Sequence, residues 1–331
     1  MVRIGINGFG RIGRAFLRVS QAIPELQVVA INDLMDINTA AHLFAYDSVH
    51  RAFLGEVNVL NDKIHIDGFE LAYTQVSEPD ELNWEGVDLV LESTGKFKTL
   101  ETAGVHMENG ASKVLISSPP ADDLIQSVCY GINDLDIDWT VDVLSNASCT
   151  TNSAAPLVKV LESIATIDAA YITTVHSYTT DQRLQDSPHQ DLRRARAAAL
   201  SIVPTTTGAA KAITKVFPHL EGRIGGCGIR VPVPDGSLTD MTFIVKESLN
   251  IEEVNAAFKK ASEESLSGVL QYLEIPLVSS DIIGNTHSCI YDSLLTSVVG
   301  NMVKIVGWYD NEMGYSNRLA DVALRWFNEN R

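Results

Sequence analysis

Three glycines near the start of the chain constrain its fold more than any other feature. The alternating segment VRIGIN predicts a strand, and FLRVSQAI predicts an amphipathic helix that leads to a second strand, QVVAIND. Gly8, Gly10 and Gly13 lie between the first strand and the helix. Glycine there permits a tight turn, close approach of the backbone to a pyrophosphate and packing of helix on strand. The pattern predicts a βαβ unit that binds a dinucleotide.

Asp33 strengthens this prediction. It follows Gly13 by 20 residues, at the end of the predicted second strand. A carboxylate at that position can accept hydrogen bonds from both hydroxyls of the adenosine ribose. It also repels a 2′-phosphate, so it favours NAD over NADP. The alternative interpretation is a glycine turn followed by an aspartate that faces solvent.

The strand pattern divides the chain into two predicted domains. Apolar strands at VDLVLES, KVLISS and VDVLSN alternate with helical or polar stretches, which is typical of a parallel sheet, and residues 1–148 form a nucleotide-binding domain on this interpretation. After Cys149 the pattern becomes a helix, the strand AAYITTVHSY, a polar basic loop over residues 178–200, and the strands IRVPVP, LTDMTFIVKE and VKIVGWYD. This order predicts an α+β domain with a mixed sheet.

A terminal helix is predicted over residues 311–330. The prediction depends on apolar residues at helical spacing, namely Leu319, Val322, Ala323 and Trp326.

Composition excludes several classes of function. The chain has 25 basic and 42 acidic residues, a net charge of −17, which disfavours nucleic acid and anionic membrane surfaces as partners. Its four cysteines are far apart and lack the spacing of a zinc site or a disulfide framework, so no metal is predicted and a reducing cytoplasm is expected. The first residues enter a strand directly, and no uncharged apolar run is long enough to span a bilayer.

Cys149 is the candidate nucleophile. In the segment SNASCTTN it lies where a strand ends and a helix begins, so unpaired N–H groups of the helix would stabilise a thiolate. The alternative is a buried cysteine that packs as a small hydrophobe. Polar neighbours favour the reactive interpretation: Ser148, Thr150, Thr151 and Asn152. His176 is the candidate base, although spacing alone does not establish that the two side chains meet.

Six segments in this order resemble the phosphorylating glyceraldehyde-3-phosphate dehydrogenase family. They are INGFGRIGR, SNASCTTN, TTVHSYT, DLRRARAAALSIVPTTTGAAKA, RVPVPDGS and WYDNEMGYSNR. The resemblance implies a Rossmann NAD-binding domain over residues 1–148 that is completed by a helix over 312–331, and a catalytic domain over 149–311. It also implies a cytoplasmic homotetramer that oxidises an aldehyde phosphate with uptake of inorganic phosphate.

The resemblance assigns roles residue by residue. Cys149 matches the nucleophile and His176 its base. The residues that match the cofactor site are Gly8, Gly10, Arg11, Ile12 and Gly13 at the pyrophosphate, Asp33 at the ribose, Ser117 near the nicotinamide ribose and Asn311 at the carboxamide.

Two anion sites follow from the same resemblance. Thr179 and Arg230 match the site for the substrate's own phosphate. The residues that match the site for attacking phosphate are Ser148, Thr150, Thr207, Gly208 and one arginine of the pair Arg193 and Arg194. The choice within that pair stays open, and Arg196 is either a ligand or a supporting surface arginine.

Three positions depart from the family pattern. Ser153 replaces the second cysteine of the usual SCTTNC, Met313 replaces a tryptophan, and Ser77 replaces a basic residue near the adenine. Two alternatives to the triose enzyme remain. Erythrose-4-phosphate dehydrogenase usually has Glu in place of Asp33 and lacks TTTGAAKA, and a non-catalytic binding protein would not need the catalytic set.

Overall fold

The computed structural model describes residues 1–329, which divide into two compact units. The first unit comprises Met1–Val128, Leu135–Ala147 and the chain from Ser316 onward, and the second comprises Cys129–Asp134 and Ser148–Tyr315. The functional domain bounds predicted above stay predictions, and residues 330 and 331 of the predicted terminal helix lie outside the described residues. Within residues 1–329, no helix combines the length and apolar composition needed to cross a membrane.

The first unit contains eleven short strands and, before its last segment, three helices. Its strands are β1 (Val2–Asn7), β2 (Leu26–Asn32), β3 (Tyr46–Asp47), β4 (Arg51–Ala52), β5 (Val57–Leu60), β6 (Lys63–Ile66), β7 (Phe69–Thr74), β8 (Leu89–Glu92), β9 (Lys113–Ile116), β10 (Gln126–Ser127) and β11 (Val143–Ser145). Its helices are α1 (Arg11–Ser20), α2 (Ile37–Ala45) and α3 (Leu100–Glu108), with a 3-10 turn at Pro79–Glu81.

The main sheet of this unit has the order β10-β11-β9-β8-β1-β2-β7-β6-β5. The strands from β10 through β7 pair in parallel, as the alternation of strands and helices predicts. The strands β5, β6 and β7 pair antiparallel and were not predicted. Two tight turns explain them, because Asn61, Asp62, Asp67 and Gly68 all have positive φ, the conformation of two-residue hairpin loops.

The second unit contains the remaining strands and four helices. The strands are β12 (Ile167–Ser177), β13 (Val203–Thr205), β14 (Ile224–Val231), β15 (Ser237–Val245), β16 (Leu270–Leu273), β17 (Cys289–Asp292), β18 (Ser297–Val299) and β19 (Met302–Tyr309). The helices are α4 (Cys149–Glu162), α5 (Ala209–Val216), α6 (Ile251–Glu263) and α7 (Ser279–Ile282), with 3-10 turns at Pro218–Leu220 and Ser293–Leu295.

The sheet of the second unit is mixed, so the predicted α/β class with a mixed catalytic sheet is confirmed. Its order is β13-β14-β12-β15-β19-β17-β16, with β18 paired to β19. Strand β12 runs parallel to β14 and antiparallel to β15, and the β12–β14 register sets His176 opposite Arg230. Alternate residues of β15 are buried, among them Met241 and Phe243, because one face of this strand packs into the core.

The final helix is α8 (Met313–Glu329). The four apolar residues that predicted it are all fully buried, namely Leu319, Val322, Ala323 and Trp326. In the first unit, Trp326 Nε1 donates to Trp139 O at 3.0 Å, and Lys113 Nζ lies 4.7 Å from the centre of the Trp326 ring. The predicted helix is therefore confirmed from Met313 to Glu329, whereas residues 311 and 312 form a turn before it.

Candidate active site

Helix α4 begins at the candidate nucleophile, Cys149. Ser148 caps the helix, because its Oγ accepts a hydrogen bond from Thr151 N at 3.0 Å. Ala147 turns the chain into the cap with a positive φ of 52°. These features fix the sulfur in the first turn of the helix, where the helix dipole favours negative charge.

The structure brings Cys149 and His176 together. Cys149 Sγ lies 3.4 Å from Nε2 of His176, which is 5% exposed near the end of β12. The sequence could not establish this contact, because the residues are separated by 27 positions and belong to different elements. A thiol and an imidazole at this distance can exchange a proton.

Tyr309 holds the pair in place, and the sequence analysis did not identify it. Its ring packs edge to face on the His176 imidazole, with centres 5.9 Å apart. Its hydroxyl lies 3.0 Å from the hydroxyls of both Thr150 and Thr174. The tyrosine thereby connects the start of α4 to β12. Tyr309 belongs to the segment WYDNEMGYSNR, which resembles a family motif, and that membership could have identified it as a residue of the site.

The second ring nitrogen of His176, Nδ1, lies beside the guanidinium of Arg230. Arg230 Nη1 lies 2.6 Å from His176 Nδ1 and donates to Ser177 O at 3.0 Å. The Ser177 carbonyl is itself 2.8 Å from Nδ1. A positive charge therefore lies directly behind the candidate base.

Burial and this cation set the protonation of the pair. Removal from water raises the pKa of the Cys149 thiol, while Arg230 acts in the opposite direction. Burial, followed by the charges of Arg230 and Arg194, lowers the pKa of His176 to about 3. Burial thus favours the uncharged form of each partner, and the charge of Arg230 favours a thiolate on Cys149.

Of the neighbouring arginines, Arg194 is the one directed toward the site. Its Nε donates to Thr205 Oγ1 at 3.0 Å, and its Nη1 lies 2.5 Å from a carboxylate oxygen of Asp181. Its charge acts on both His176 and Arg230. Arg193 is exposed, and Arg196 pairs with Asp186 at 2.7 Å between two exposed side chains, as expected of a supporting arginine. Asp181 and Thr205 were not identified from the sequence.

Three residues predicted for the phosphate sites, Thr179, Thr207 and Gly208, lie in segments between helices and strands. Thr207 Oγ1 accepts from Ala209 N at 3.1 Å, and Gly208 precedes α5, whose N-cap makes no side-chain hydrogen bond. A Cβ on Gly208 would meet no atom within 4 Å, so the backbone there is open to a ligand. Thr179 lies two residues beyond β12, and its carbonyl accepts from Gln182 N at 2.9 Å.

Asn311 is buried with its amide orientation fixed. Its Oδ1 accepts from Ser177 Oγ at 2.9 Å and from Ser237 Oγ at 2.7 Å. Ser237 Oγ accepts in turn from Ser177 N at 3.1 Å, so its own hydrogen is directed to Asn311. With Oδ1 occupied, the Nδ2 group is left to donate.

The glycines of the first unit fit a dinucleotide. Gly8 has φ +97°, and a Cβ there would lie 2.7 Å from the Ser93 backbone. A Cβ on Gly13 would lie 2.3 Å from the carbonyl oxygen of Gly8. The fold itself requires these two glycines. A Cβ on Gly10 would meet no atom within 4 Å, so the fold leaves open the space that a pyrophosphate needs at the start of α1.

Asp33 is held at the end of β2 by the backbone. Its Oδ2 accepts from Phe9 N at 2.6 Å and its Oδ1 from Met35 N at 3.0 Å. The Arg11 guanidinium donates to both carboxylate oxygens of Asp47, from Nη1 at 2.5 Å and from Nη2 at 3.1 Å. A hydrogen bond from Arg11 to the pyrophosphate would therefore come from its backbone N–H. Ile12 lies in the first turn of α1, and Ser117 follows β9 with its N donating to Glu92 O at 2.9 Å.

A buried polar network supports the ends of these strands and was not predicted. Glu92 is 1% exposed and accepts from Asn7 Nδ2 at 2.6 Å and from His106 Nε2 at 3.1 Å. Trp84 Nε1 donates to His106 Nδ1 at 3.0 Å, which places the imidazole hydrogen on Nε2, toward Glu92. Glu92 thus anchors the end of β1, beside Gly8.

The departures from the family pattern lie in ordinary surroundings. Ser153 is buried, with its hydroxyl 3.0 Å from that of Thr239, and Ser77 is exposed beside Glu78 at 3.3 Å. Met313 N donates to Asp310 Oδ1 at 2.7 Å.

Comparison with known proteins agrees with this geometry. A family model described as the NAD binding domain of glyceraldehyde 3-phosphate dehydrogenase matches residues 2–100, and the model of the C-terminal domain matches residues 148–311. The chain is 50% identical over 331 residues to a Mycobacterium avium protein named glyceraldehyde-3-phosphate dehydrogenase, covering 97% of both chains. It is also 50% identical over 326 residues to the protein of that name from Geobacillus stearothermophilus, again covering 97% of both.

The matches extend over most of both units and include the segments that hold the thiol, the imidazole and the glycine turn. The chain belongs to the glyceraldehyde-3-phosphate dehydrogenase family.

Proposed function

We propose that this chain oxidises glyceraldehyde 3-phosphate with NAD and inorganic phosphate, yielding 1,3-bisphosphoglycerate. One observation carries the proposal: Cys149 Sγ lies 3.4 Å from His176 Nε2, with Arg230 on the other side of the same imidazole. This combination supplies a nucleophile, a base and a cation for an anionic substrate. In domain terms, residues 1–148 with 312–331 bind NAD and residues 149–311 carry the chemistry.

Cys149 and His176 perform the oxidation step. The sulfur forms a bond to the aldehyde carbon while the thiol proton passes through Nε2 to the carbonyl oxygen, giving a thiohemiacetal on Cys149. His176 Nε2 then takes the hydroxyl proton as the carbon loses a hydride, which leaves a thioester. Bound NAD supplies the hydride acceptor. The Cys149 backbone N–H and the protonated imidazole are the donors for negative charge on the oxygen.

Two groups of residues bind the two phosphates. Arg230 and Thr179 bind the phosphate of the substrate. Attacking phosphate is bound by Ser148, Thr150, Thr207, Gly208 and an arginine. We assign that arginine to Arg194 rather than Arg193, because Arg194 contacts Thr205 and its charge acts on His176. Phosphate held there attacks the thioester with the advantage of a bound nucleophile, and the Cys149 sulfur leaves.

The cofactor site uses the backbone of the glycine turn and the Asp33 carboxylate. The backbone from Gly8 to Gly13, including Arg11 and Ile12, binds the pyrophosphate, while Asp33 binds the adenosine ribose. Ser117 contacts the nicotinamide ribose, and Asn311 donates from Nδ2 to the carboxamide oxygen. The free donor on Asn311, opposite two serine hydroxyls, supports that last assignment.

We further propose a homotetramer in the cytoplasm. The loop between β12 and β13 carries Leu184, Leu192 and Leu200, which are 81%, 81% and 86% exposed in the single chain. Apolar side chains concentrated in one loop are suited to contact a second copy. All four cysteines are free thiols, which fits a reducing compartment. Sedimentation velocity tests the assembly, and a species with the mass of one chain at micromolar concentration would contradict it.

An absorbance assay for NADH tests the activity. Glyceraldehyde 3-phosphate and erythrose 4-phosphate are each supplied with NAD, with and without inorganic phosphate. The expected result is sustained turnover of the triose phosphate that requires phosphate. Preference for the tetrose phosphate would support the alternative dehydrogenase. Absence of NADH with both would support a binding protein.

A further inference from the structure

Four neighbouring strands of the first unit end in side chains that hydrogen-bond to one another. The strands are β8, β1, β2 and β7, which are adjacent in the sheet in that order, and their last residues are Glu92, Asn7, Asn32 and Thr74. Asn7 is paired in register with both Glu92 and Asn32, and Asn32 with Thr74. Asn7 Nδ2 donates to Glu92 Oε2 at 2.6 Å, and Asn32 Nδ2 donates to Asn7 Oδ1 at 2.8 Å. Thr74 Oγ1 donates to Asn32 Oδ1 at 2.8 Å. We call these four residues the strand-end row.

Glu92 is the acceptor at one end of the row. Besides Asn7, its Oε2 accepts from His106 Nε2 at 3.1 Å, and its Oε1 accepts from both N and Oγ1 of Thr94. Each oxygen therefore receives two hydrogens. The three N–H donors among them cannot accept a hydrogen in return, so these contacts favour the ionised carboxylate over the acid.

The charge on Glu92 fixes the direction of the hydrogen bonds in the row. Asn7 presents Nδ2 to the carboxylate, which leaves its Oδ1 to accept from Asn32. At the far end, Asn32 Oδ1 also accepts from Val76 N at 2.9 Å, and Asn32 Nδ2 also donates to Val76 O at 2.9 Å. Neither asparagine can reverse its amide without setting two donors or two acceptors against each other. The row is therefore fixed from both ends.

The row lies directly before the residues assigned to the cofactor site. Gly8 follows Asn7, and its N donates to Asn32 O at 2.8 Å. Asp33 follows Asn32, and its N donates to Thr74 O at 3.1 Å. In an open parallel sheet, a dinucleotide binds beyond the carboxyl ends of the strands. A change in the row would therefore displace the glycine turn and the ribose carboxylate together.

The buried charge is costly for the fold alone. Glu92 is 1% exposed and His106 is fully buried, and removing a carboxylate from water is unfavourable unless its hydrogen bonds compensate. Apolar side chains of similar size would also pack between the strands, but they would not fix the relative positions of the strand ends. Directional hydrogen bonds do fix those positions, which is what a binding site built on several strand ends requires.

We propose that the strand-end row positions the backbone that binds the ADP half of NAD, and that the negative charge of Glu92 sets its direction. Glu92, Asn7 and Asn32 are positioning residues, because they act on the cofactor through the residues that follow them in the chain. The proposal rests on the proposed function in one respect, since it takes Gly8 and Asp33 as the contacts to pyrophosphate and ribose.

The direction of the row can be tested by moving its charge by one residue. In Glu92→Gln, the new NH₂ group meets N–H donors whichever way it points, so at least one N–H loses its acceptor. In Asn7→Asp, two carboxylates face each other across the 2.6 Å contact. In the double variant, the new amide donates to the new carboxylate and its oxygen accepts from Thr94. The new carboxylate can also accept from His106 Nε2, which lies 3.4 Å from the present Asn7 Nδ2.

Isothermal titration calorimetry with ADP-ribose measures the effect without turnover. Each single variant should raise Kd about tenfold, as expected for the loss of a hydrogen bond to a charged group. Additive effects would then raise Kd about a hundredfold in Asn7→Asp/Glu92→Gln, but we expect this double variant to bind within about threefold of the wild type.

Asn109→Asp is the matched control. Asn109 Nδ2 donates to Pro79 O at 2.8 Å, so the same substitution removes a similar hydrogen bond. Asn109 comes shortly before β9 begins, at the opposite edge of the sheet from the row. Its substitution should leave the Kd for ADP-ribose within about twofold of the wild type, since distant sites act independently.

Three outcomes would overturn the proposal. The first is a double variant that fails to fold or that binds ADP-ribose no more tightly than Glu92→Gln, a comparison that decides even if Asn7→Asp alone does not fold. The second is a change in melting temperature across the variants with no change in Kd, because the row would then serve stability alone. The third is an equal loss of binding in Asn109→Asp. ADP-ribose binding needs neither an aldehyde nor Cys149, so failure of the row and failure of the proposed function are distinguishable.

Discussion

Replacing Asp33 by asparagine should change cofactor preference in a way that the geometry makes specific. The carboxylate accepts one backbone N–H on each oxygen, from Phe9 at 2.6 Å and Met35 at 3.0 Å. Each oxygen keeps a second acceptor direction for a ribose hydroxyl. Asparagine is nearly isosteric, but it removes the charge and replaces one acceptor by a donor.

The expected magnitude follows from these contacts. A hydrogen bond to a charged group contributes about 1.5–3 kcal/mol, so losing one should weaken NAD by roughly ten- to a hundredfold. NADP gains at the same time, because its 2′-phosphate no longer faces a carboxylate. The ratio of kcat/KM for NAD to kcat/KM for NADP should therefore fall by a larger factor than kcat/KM for NAD does alone.

The assay is steady-state kcat/KM for NAD and for NADP at saturating aldehyde phosphate and inorganic phosphate. Asp36→Asn is the matched control, because Asp36 lies three residues further on and caps α2 through Asn38 N and Thr39 N, a role that asparagine can keep. An unchanged NAD to NADP ratio in Asp33→Asn would refute the reasoning. An equal change in the control would do so as well.

Three further predictions follow from the second unit. Cys149→Ser should abolish NADH formation while NAD binding by fluorescence titration stays within a few fold, because a serine hydroxyl is far less acidic than a thiol; turnover near the wild-type rate would remove Cys149 as nucleophile. Arg194→Ala should raise KM for inorganic phosphate by about tenfold, whereas Arg193→Ala should not, and equal effects would reverse our choice between them. Burial, Asp310 and Glu312 raise the pKa of Asp235 to about 9. The unfolded chain therefore releases this proton between about pH 4 and pH 9 while the folded chain keeps it, so the group lowers stability as pH rises. Asp235→Asn should gain melting temperature relative to the wild type from about pH 5 to pH 8, and parallel curves would count against the raised pKa.

Local sequence patterns were sufficient for the elements that hold the cofactor and the thiol. Fewer than twenty consecutive residues determine each of three features: the glycine turn, the start of α4 at Cys149 and the apolar stripe of α8. Their signals are capping, glycine conformation and periodicity, which do not depend on distant parts of the chain. The residue pairs Asn61-Asp62 and Asp67-Gly68 are typical of two-residue hairpin turns, so the antiparallel strands β5 to β7 also have a local signal in the sequence.

Long-range register could not be predicted in the same way. His176 and Arg230 are separated by 54 positions and meet because β12 and β14 pair in one particular register. Arg193 and Arg194 are consecutive and share their local sequence, so contacts with distant residues such as Thr205 and Asp181 distinguish them. The arginines that lower the pKa of His176 are therefore identified by the structure and not by local sequence.

The central claim is that oxidation proceeds through a covalent bond to Cys149, and intact-protein mass spectrometry tests it most directly. The enzyme is mixed with NAD and glyceraldehyde 3-phosphate in the absence of inorganic phosphate and quenched in acid. We expect a burst of one NADH per chain and a mass increase of one 3-phosphoglyceroyl group. Peptide mapping should locate the group on Cys149, and added phosphate should discharge it. A full NADH burst with no adduct on Cys149 would contradict the account.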